Sequence, residues 1–179
     1  MHDGQNCFDK TTAFAGEWGI DETLNYKEKN GDKGCIVVAI DNGGASRLDE
    51  YSPYVNSQYG GGKGDDYLDF LALTLKPFID SAYRTFPDKN NTAMAGSSMG
   101  GLITMYALFK YPNIYGKAGI FSPAFWFSNQ LYTYVLNKKS KKLKKDLDMV
   151  SYRWNLVNFG GAFYSAYFLG NGYKTGVVF

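Results

Sequence analysis

Thr92-Ala93-Met94-Ala95-Gly96-Ser97-Ser98-Met99-Gly100-Gly101-Leu102 is the stretch on which the fold turns. Its first five residues predict a short strand. A helix is predicted to start at Met99, run through the apolar stretch Leu102 to Lys110 and stop before Tyr111-Pro112. Between strand and helix stands G-x-S-x-G, with Ser98 at its centre. A serine on so sharp a turn needs neighbours without a Cβ, because the two elements crowd each other there. The helix beyond the turn aims its N-terminus at the serine, where the dipole and free N–H groups stabilise a developing oxyanion. In a chain with 21 glycines the pattern alone says little, and a Gly-Ser turn without chemistry is the alternative. Its place between strand and helix gives it weight.

Working outward, Lys117-Ala118-Gly119-Ile120-Phe121 predicts the next buried strand. Upstream, Asp65 and Asp66 open a helix, where carboxylates favour the positive end of the dipole. Tyr67, Leu71, Leu75, Phe78 and Ala82 give that helix an apolar face, and Pro77 should kink or split it. Cys35-Ile36-Val37-Val38-Ala39-Ile40 is apolar throughout and rich in β-branched residues. Bounded by Gly34 and by Asp41-Asn42-Gly43-Gly44, it predicts a strand buried on both faces. The six glycines between 43 and 64 mark a loop, and residues 2–34 read as a long loop with a short turn of helix.

Strands alternating with helices indicate a parallel sheet with crossover helices, so residues 1–137 form an α/β unit. The character changes after that. Lys138, Lys139, Lys141, Lys142, Lys144 and Lys145 crowd together, and residues 150–179 show neither helical nor strand period. Residues 138–179 are therefore set apart as an atypical C-terminal segment. The lysine run reads as a solvated helix end or linker.

A chain of 179 residues, 45% of them hydrophobic, is long enough to bury one core. A formal charge of +2 argues against nucleic acid as a partner. No apolar run approaches the roughly 20 residues of a membrane span. Cys7 and Cys35 make no metal-binding pattern and read as two free thiols in a reducing compartment. Met1-His2-Asp3-Gly4-Gln5-Asn6 has neither a basic opening nor the apolar core of a secretion signal.

Several separated motifs agree in order and spacing. They are Met1-His2-Asp3-Gly4-Gln5-Asn6, Ile40-Asp41-Asn42-Gly43, Glu50-Tyr51-Ser52-Pro53, Tyr67-Leu68, Leu75-Lys76-Pro77-Phe78-Ile79-Asp80, Ala95-Gly96-Ser97-Ser98-Met99-Gly100-Gly101 and Phe121-Ser122-Pro123-Ala124-Phe125-Trp126. Over about residues 1–137 the chain resembles the putative-esterase family of α/β-hydrolases, which includes enterobactin esterases, feruloyl esterases, S-formylglutathione hydrolase and the mycolyltransferases. The resemblance implies a mostly parallel sheet with helices on both faces. It also implies cleavage of a small-molecule carboxylic ester through an acyl-enzyme, without metal or organic cofactor. Carried over by position, it makes Ser98 the nucleophile and the N–H groups of Met99 and Gln5 the oxyanion donors. Asp3 and Trp126 would line the substrate cleft, although Asp3 could instead cap its turn and Trp126 could pack in the core.

The departures are equally specific. Enzymes of this fold place the triad in the order serine, acid, histidine. After Ser98 this chain has only Asp146 and Asp148 as acids, and no histidine. Its sole histidine, His2, is expected to shape the turn near the mouth of the cleft. The chain opens where the family has an internal strand, and its last residues do not resemble the family's end. It reads as an incomplete or frame-altered member, lacking strands at both ends of the fold. Three functions therefore remain in view: an ester hydrolase, an acyltransferase with the same residues, and a non-catalytic scaffold.

Overall fold

The computed structural model describes residues 1–138, 149–150 and 166–169. At its centre, β3 (Ala93–Ser97) and β4 (Lys117–Phe121) pair in parallel, from Ala93↔Lys117 to Ser97↔Phe121. Parallel neighbours need a crossover, and α5 (Met99–Lys110) supplies it. Leu102, Ile103, Thr104 and Ala107 of this helix are fully buried, so it forms the middle of the core. Met94, Ala118 and Ile120 face it from the two strands, and Leu68, Leu71 and Leu131 close around it. Lys110, in its last turn, reaches Asp65 at 2.7 Å, which ties the helix end to α3 (Gly64–Phe70).

The N-terminal residues extend this parallel set. The His2 N–H donates to Ala95 O at 2.9 Å, and on its other side His2 forms a parallel bridge with Ile40. Residues 1–4 thus lie between β3 and the end of the Cys35–Ile40 segment. That segment is less buried than its composition predicts. Cys35 is exposed, Ile36 is 52% exposed, and only Ile40 is bridged. The reason is lateral: among the described residues it has a neighbour along one edge only.

Two more expectations need correction. Residues 2–34 hold a full helix, α1 (Ile20–Lys29). Only Ile20 of it is buried, so periodicity gave little signal. Its stability comes partly from Asp21 and Glu22 at the first turn and Lys27 and Lys29 at the last, a favourable match to the dipole. The helix opened by Asp65 and Asp66 is divided, as Pro77 requires, but the break is a π-helical turn over Leu71–Leu75. The wider turn rotates the next helix, α4 (Lys76–Ala82), which buries none of its residues and leaves Phe78 61% exposed.

The glycine-rich loop is mostly irregular, but it carries α2 (Arg47–Glu50) and a small hairpin of β1 (Val55–Asn56) and β2 (Gly60–Gly61). After β4 comes α6 (Asn129–Lys138). The sheet then gains β5 (Met149–Val150) and β6 (Ala166–Leu169), in the order β3-β4-β6-β5. Both additions pair antiparallel, unlike the parallel pair beside them. Segments of two and four residues are too short to show a period, which is why the sequence there looks featureless. Among the described residues no helix is long and apolar enough to cross a membrane.

Candidate active site

Ser98 sits between the last residue of β3 and the first of α5, with φ 55° and ψ −117°. A non-glycine residue at positive φ is strained, and such strain persists only where surrounding contacts over-determine it. Here the Ser98 N–H donates to Phe121 O at 2.9 Å. Its carbonyl accepts from the N–H groups of Leu102 and Ala124, both at 3.0 Å. Neighbouring strand and helix thus hold the backbone while the side chain stays exposed.

The flanking glycines are sterically required to different degrees. A Cβ on Gly96 would lie 2.6 Å from the Gly100 backbone and 2.8 Å from His2 Cδ2. One on Gly101 would meet Phe121 O at 3.1 Å and Gly96 O at 3.2 Å. At Gly100 the nearest atom would be His2 Cβ at 3.2 Å, with Asp3 Oδ2 at 3.4 Å. These approaches also place His2 and Asp3 directly against the turn that carries Ser98.

Met99 follows Ser98 in the chain, and Gln5 follows the His2-Asp3-Gly4 strip. The Met99 N–H opens α5, and the Gln5 N–H lies within a single 3-10 turn, Gly4–Asn6. Neither is taken by an acceptor among the described residues. Unsatisfied N–H groups at the start of a helix favour an anion.

His2 is not at the mouth of a cleft. It is 3% exposed and packed beneath Gly96 and Gly100, between the rings of Tyr51 and Tyr67. Its Nδ1 lies 2.8 Å from Tyr67 Oη, and its Nε2 has no partner among the described residues. Burial, then the nearby N-terminal ammonium and Arg47, hold its pKa well below the ordinary histidine value. His2 is therefore neutral, and it makes no hydrogen bond to Ser98.

Asp3 is buried as well. It is 7% exposed, and its carboxylate accepts from Arg47 Nε at 2.7 Å, Arg47 Nη2 at 2.9 Å and Asn42 Nδ2 at 2.7 Å. Nor does its side chain cap the adjoining 3-10 turn. Trp126, by contrast, is 67% exposed on a 3-10 turn after β4, with its ring edge-on to Tyr59 at 5.7 Å. The core position belongs to its neighbour Phe127.

Sequence reasoning misses Asn42, Arg47, Tyr51 and Tyr67 as neighbours of this site, and misses the left-handed Ser122, whose buried Oγ has no partner among the described residues. Asn42, Tyr51 and Tyr67 stand in recognisable motifs, but nothing in the spacing of those motifs shows which side chains meet. Cys7 and Cys35 are both free thiols. Among the described residues the one cluster with metal-ligand spacing is the exposed trio Glu17, Asp21 and Glu22, none of which belongs to the serine turn. Asp146, Asp148 and the lysines after Lys138 lie outside the described residues.

Known proteins share this arrangement of sequence and fold. A family model described as "Putative esterase" matches residues 1–153. The chain is 34% identical over 94 residues to the uncharacterized protein YbbA of Bacillus subtilis (strain 168), covering 49% of this chain and 38% of that one. It is 34% identical over 71 residues to a siderophore enterobactin esterase of Emericella nidulans, covering 38% and 23%. The crystal structure of BES protein from Bacillus cereus superposes with a TM-score of 0.59 at 24% identity, over 80% of this chain and 54% of that one. The matches to the two curated relatives span well under half the length of either.

Proposed function

The chain belongs to the putative-esterase family of α/β-hydrolases, and from that premise we propose that it cleaves a small carboxylic ester through an acyl-enzyme on Ser98. The observation that carries this reading is Ser98 itself: an exposed hydroxyl on a strained strand-to-helix turn, next to a free helix N–H. Ser98 Oγ attacks the ester carbonyl and gives its proton to solvent water, and the resulting oxyanion accepts from the N–H groups of Met99 and Gln5. Collapse breaks the bond to the alkoxy oxygen, which leaves as the alcohol with a proton from water, and a second water then hydrolyses the acyl-Ser98 ester to free acid and regenerated serine. Trp126, exposed beside the hairpin, forms a wall for the substrate. Transfer to a second alcohol uses the same residues, and product analysis with an acceptor alcohol separates it from hydrolysis.

One observation favours a scaffold instead. The only histidine in the 179 residues points its Nδ1 at Tyr67, and Ser98 Oγ has no hydrogen-bonded base among the described residues. A serine without a base is a weak nucleophile, but oxyanion donors and binding alone leave roughly 10³–10⁴-fold acceleration over water. The test mixes the 179-residue chain with an activated aryl ester at neutral pH, and measures both released alcohol and acyl-Ser98 by mass spectrometry. Slow acylation of Ser98 that disappears in Ser98→Ala is expected. Equal reactivity in both proteins defeats the esterase reading. Turnover at ordinary enzyme rates that requires Ser98 identifies a base within this chain.

A further inference from the structure

We infer that Arg47 is a positioning residue, whose guanidinium sets the direction of the Gln5 N–H by gripping Asp3; the inference rests on the ester-cleavage reading above. The starting point is how little structure the loop has of its own. Gly4–Asn6 is one 3-10 turn, entered through Asp3 in the left-handed region at φ 55° and ψ 53°. A non-glycine residue there is strained and must be held from outside.

What holds it comes from far along the chain. Arg47 sends Nε to Asp3 Oδ1 and Nη2 to Oδ2, a two-pronged grip that fixes the orientation of the carboxylate as well as its position. Asn42 Nδ2 completes the Oδ1 site, and the Asp3 N–H donates to Tyr51 Oη at 3.0 Å. The guanidinium itself is braced over the Tyr51 ring, 5.0 Å from its centroid. Gln5 is then tied by its side chain, which donates to Asn42 O and accepts from the Asn42 N–H, both at 3.2 Å.

These contacts frame the Gln5 N–H from both sides. Upstream, Asp3 has its carboxylate on Arg47 and its carbonyl on the Asn6 N–H at 2.9 Å. Between them the Gly4 N–H donates to Ile40 O at 2.8 Å, and that glycine leaves no room for a Cβ against the Ile40-Asp41 backbone. Rotation about Asp3 would redirect the Gln5 N–H, two residues on, away from the oxyanion position that the ester-cleavage reading gives it. Both prongs of Arg47 are occupied by Asp3, so it does not serve as a landing point for an anionic substrate. Lysine cannot replace it in full, since a single ammonium does not span both carboxylate oxygens.

The test uses the full 179-residue chain as wild type, Arg47→Met and Arg47→Lys. Saturable acylation of Ser98 by an activated aryl ester separates the acylation rate constant from the half-saturating concentration. Amide hydrogen exchange at Gly4 and Asn6 reports the loop, with Leu102 in α5 as the internal reference. For Arg47→Met the rate constant should fall about 100-fold, the size of losing one oxyanion donor, with half-saturation unchanged. Exchange at Gly4 and Asn6 should accelerate while Leu102 keeps its protection. Arg47→Lys retains the charge and so guards against a misfolded Met variant; it should lose several-fold in rate constant. Wild-type rate constants in Arg47→Lys and in a folded Arg47→Met overturn the inference alone. Unchanged exchange at Gly4 and Asn6 in Arg47→Met does the same. A wild type whose Ser98 takes no acyl group defeats the ester-cleavage reading, and this inference with it.

Discussion

The turn around Ser98 and the loop from His2 to Asn6 face one another, yet they are built on opposite principles. The Ser98 turn is held by backbone: two strands and a helix adjacent in sequence, with glycines where main chains nearly touch. The His2–Asn6 loop has backbone bonds to Ala95 and Ile40 at its start, and beyond them it is held by side chains from elsewhere: Arg47, Asn42, Tyr51 and Tyr67, at separations of 39 to 65 residues. Steric requirements of the first kind are encoded locally and cannot be compensated. Polar ties of the second kind are distributed, so each can be weakened separately.

The sharpest way to break this contrast is to add one methyl group. In Gly96→Ala the new carbon meets the Gly100 backbone at 2.6 Å, so the strand-helix junction itself must move. We expect a loss of about 3 kcal/mol or more, at the upper end for overpacking, read from the shift of the urea midpoint at constant slope. Gly101→Ala should cost less, and Gly100→Ala least, because its nearest contact is the His2 side chain at 3.2 Å. A Gly96→Ala protein as stable as the parent would remove the basis for treating the turn as backbone-built.

The same contrast explains what is legible in the sequence. Local pattern places β3, α5 and β4 to within a few residues, because a strand–glycine–helix junction carries its signal in about twenty consecutive positions. It fails for α1, where one buried residue leaves no stripe, and for Cys35–Ile40, where burial depends on neighbours the segment does not have among the described residues. The site divides likewise. Ser98 and Met99 stem from one motif. Gln5 comes only from the family resemblance, and the partner of Asp3 is hidden, because no spacing rule links residue 3 to residue 47. Trp126 is legible as an aromatic but not as an exposed one.

Acid offers a second probe, directed at the loop alone. His2 is buried and its pKa is lowered, chiefly by desolvation and then by the N-terminal ammonium and Arg47. In the unfolded chain it titrates near the ordinary value of about 6.5. Below that pH the unfolded state binds a proton that the native state refuses, so stability falls as pH falls, by about 1.4 kcal/mol per unit, until the folded pKa is reached. Carboxylates join only nearer pH 5, and the neighbouring Tyr51 and Tyr67 are shifted upward and stay neutral. Unfolding midpoints between pH 5 and 6.5 should therefore slope less steeply in His2→Gln. Identical slopes would mean that His2 is protonated in the fold, which its buried position against Arg47 argues against.

The smallest effect on stability is expected at Trp126, and it tests whether the exposed ring belongs to the substrate. Trp126 is 67% exposed and touches Tyr59 and Phe127 edge-on, with ring centroids 5.7 and 5.8 Å away. A side chain so exposed adds little to the core, so Trp126→Ala should change the unfolding free energy by only about 0.5 kcal/mol. If the ring forms a wall for the ester, the concentration that half-saturates Ser98 acylation should rise several-fold. The acylation rate constant should hold, because a wall binds ground state and transition state alike. This is the reverse of the pattern expected for Arg47, so the two variants separate binding from positioning on one substrate. Loss of more than 1 kcal/mol with unchanged half-saturation would assign Trp126 instead to bracing the Val55–Gly61 hairpin, since that exceeds the roughly 0.5 kcal/mol of an ordinary surface change. That outcome is physically distinct, because Asn56 Nδ2 already ties the hairpin to Phe127 O at 2.9 Å. With that bond intact, the hairpin does not depend on the indole, and the substrate is what should register its removal.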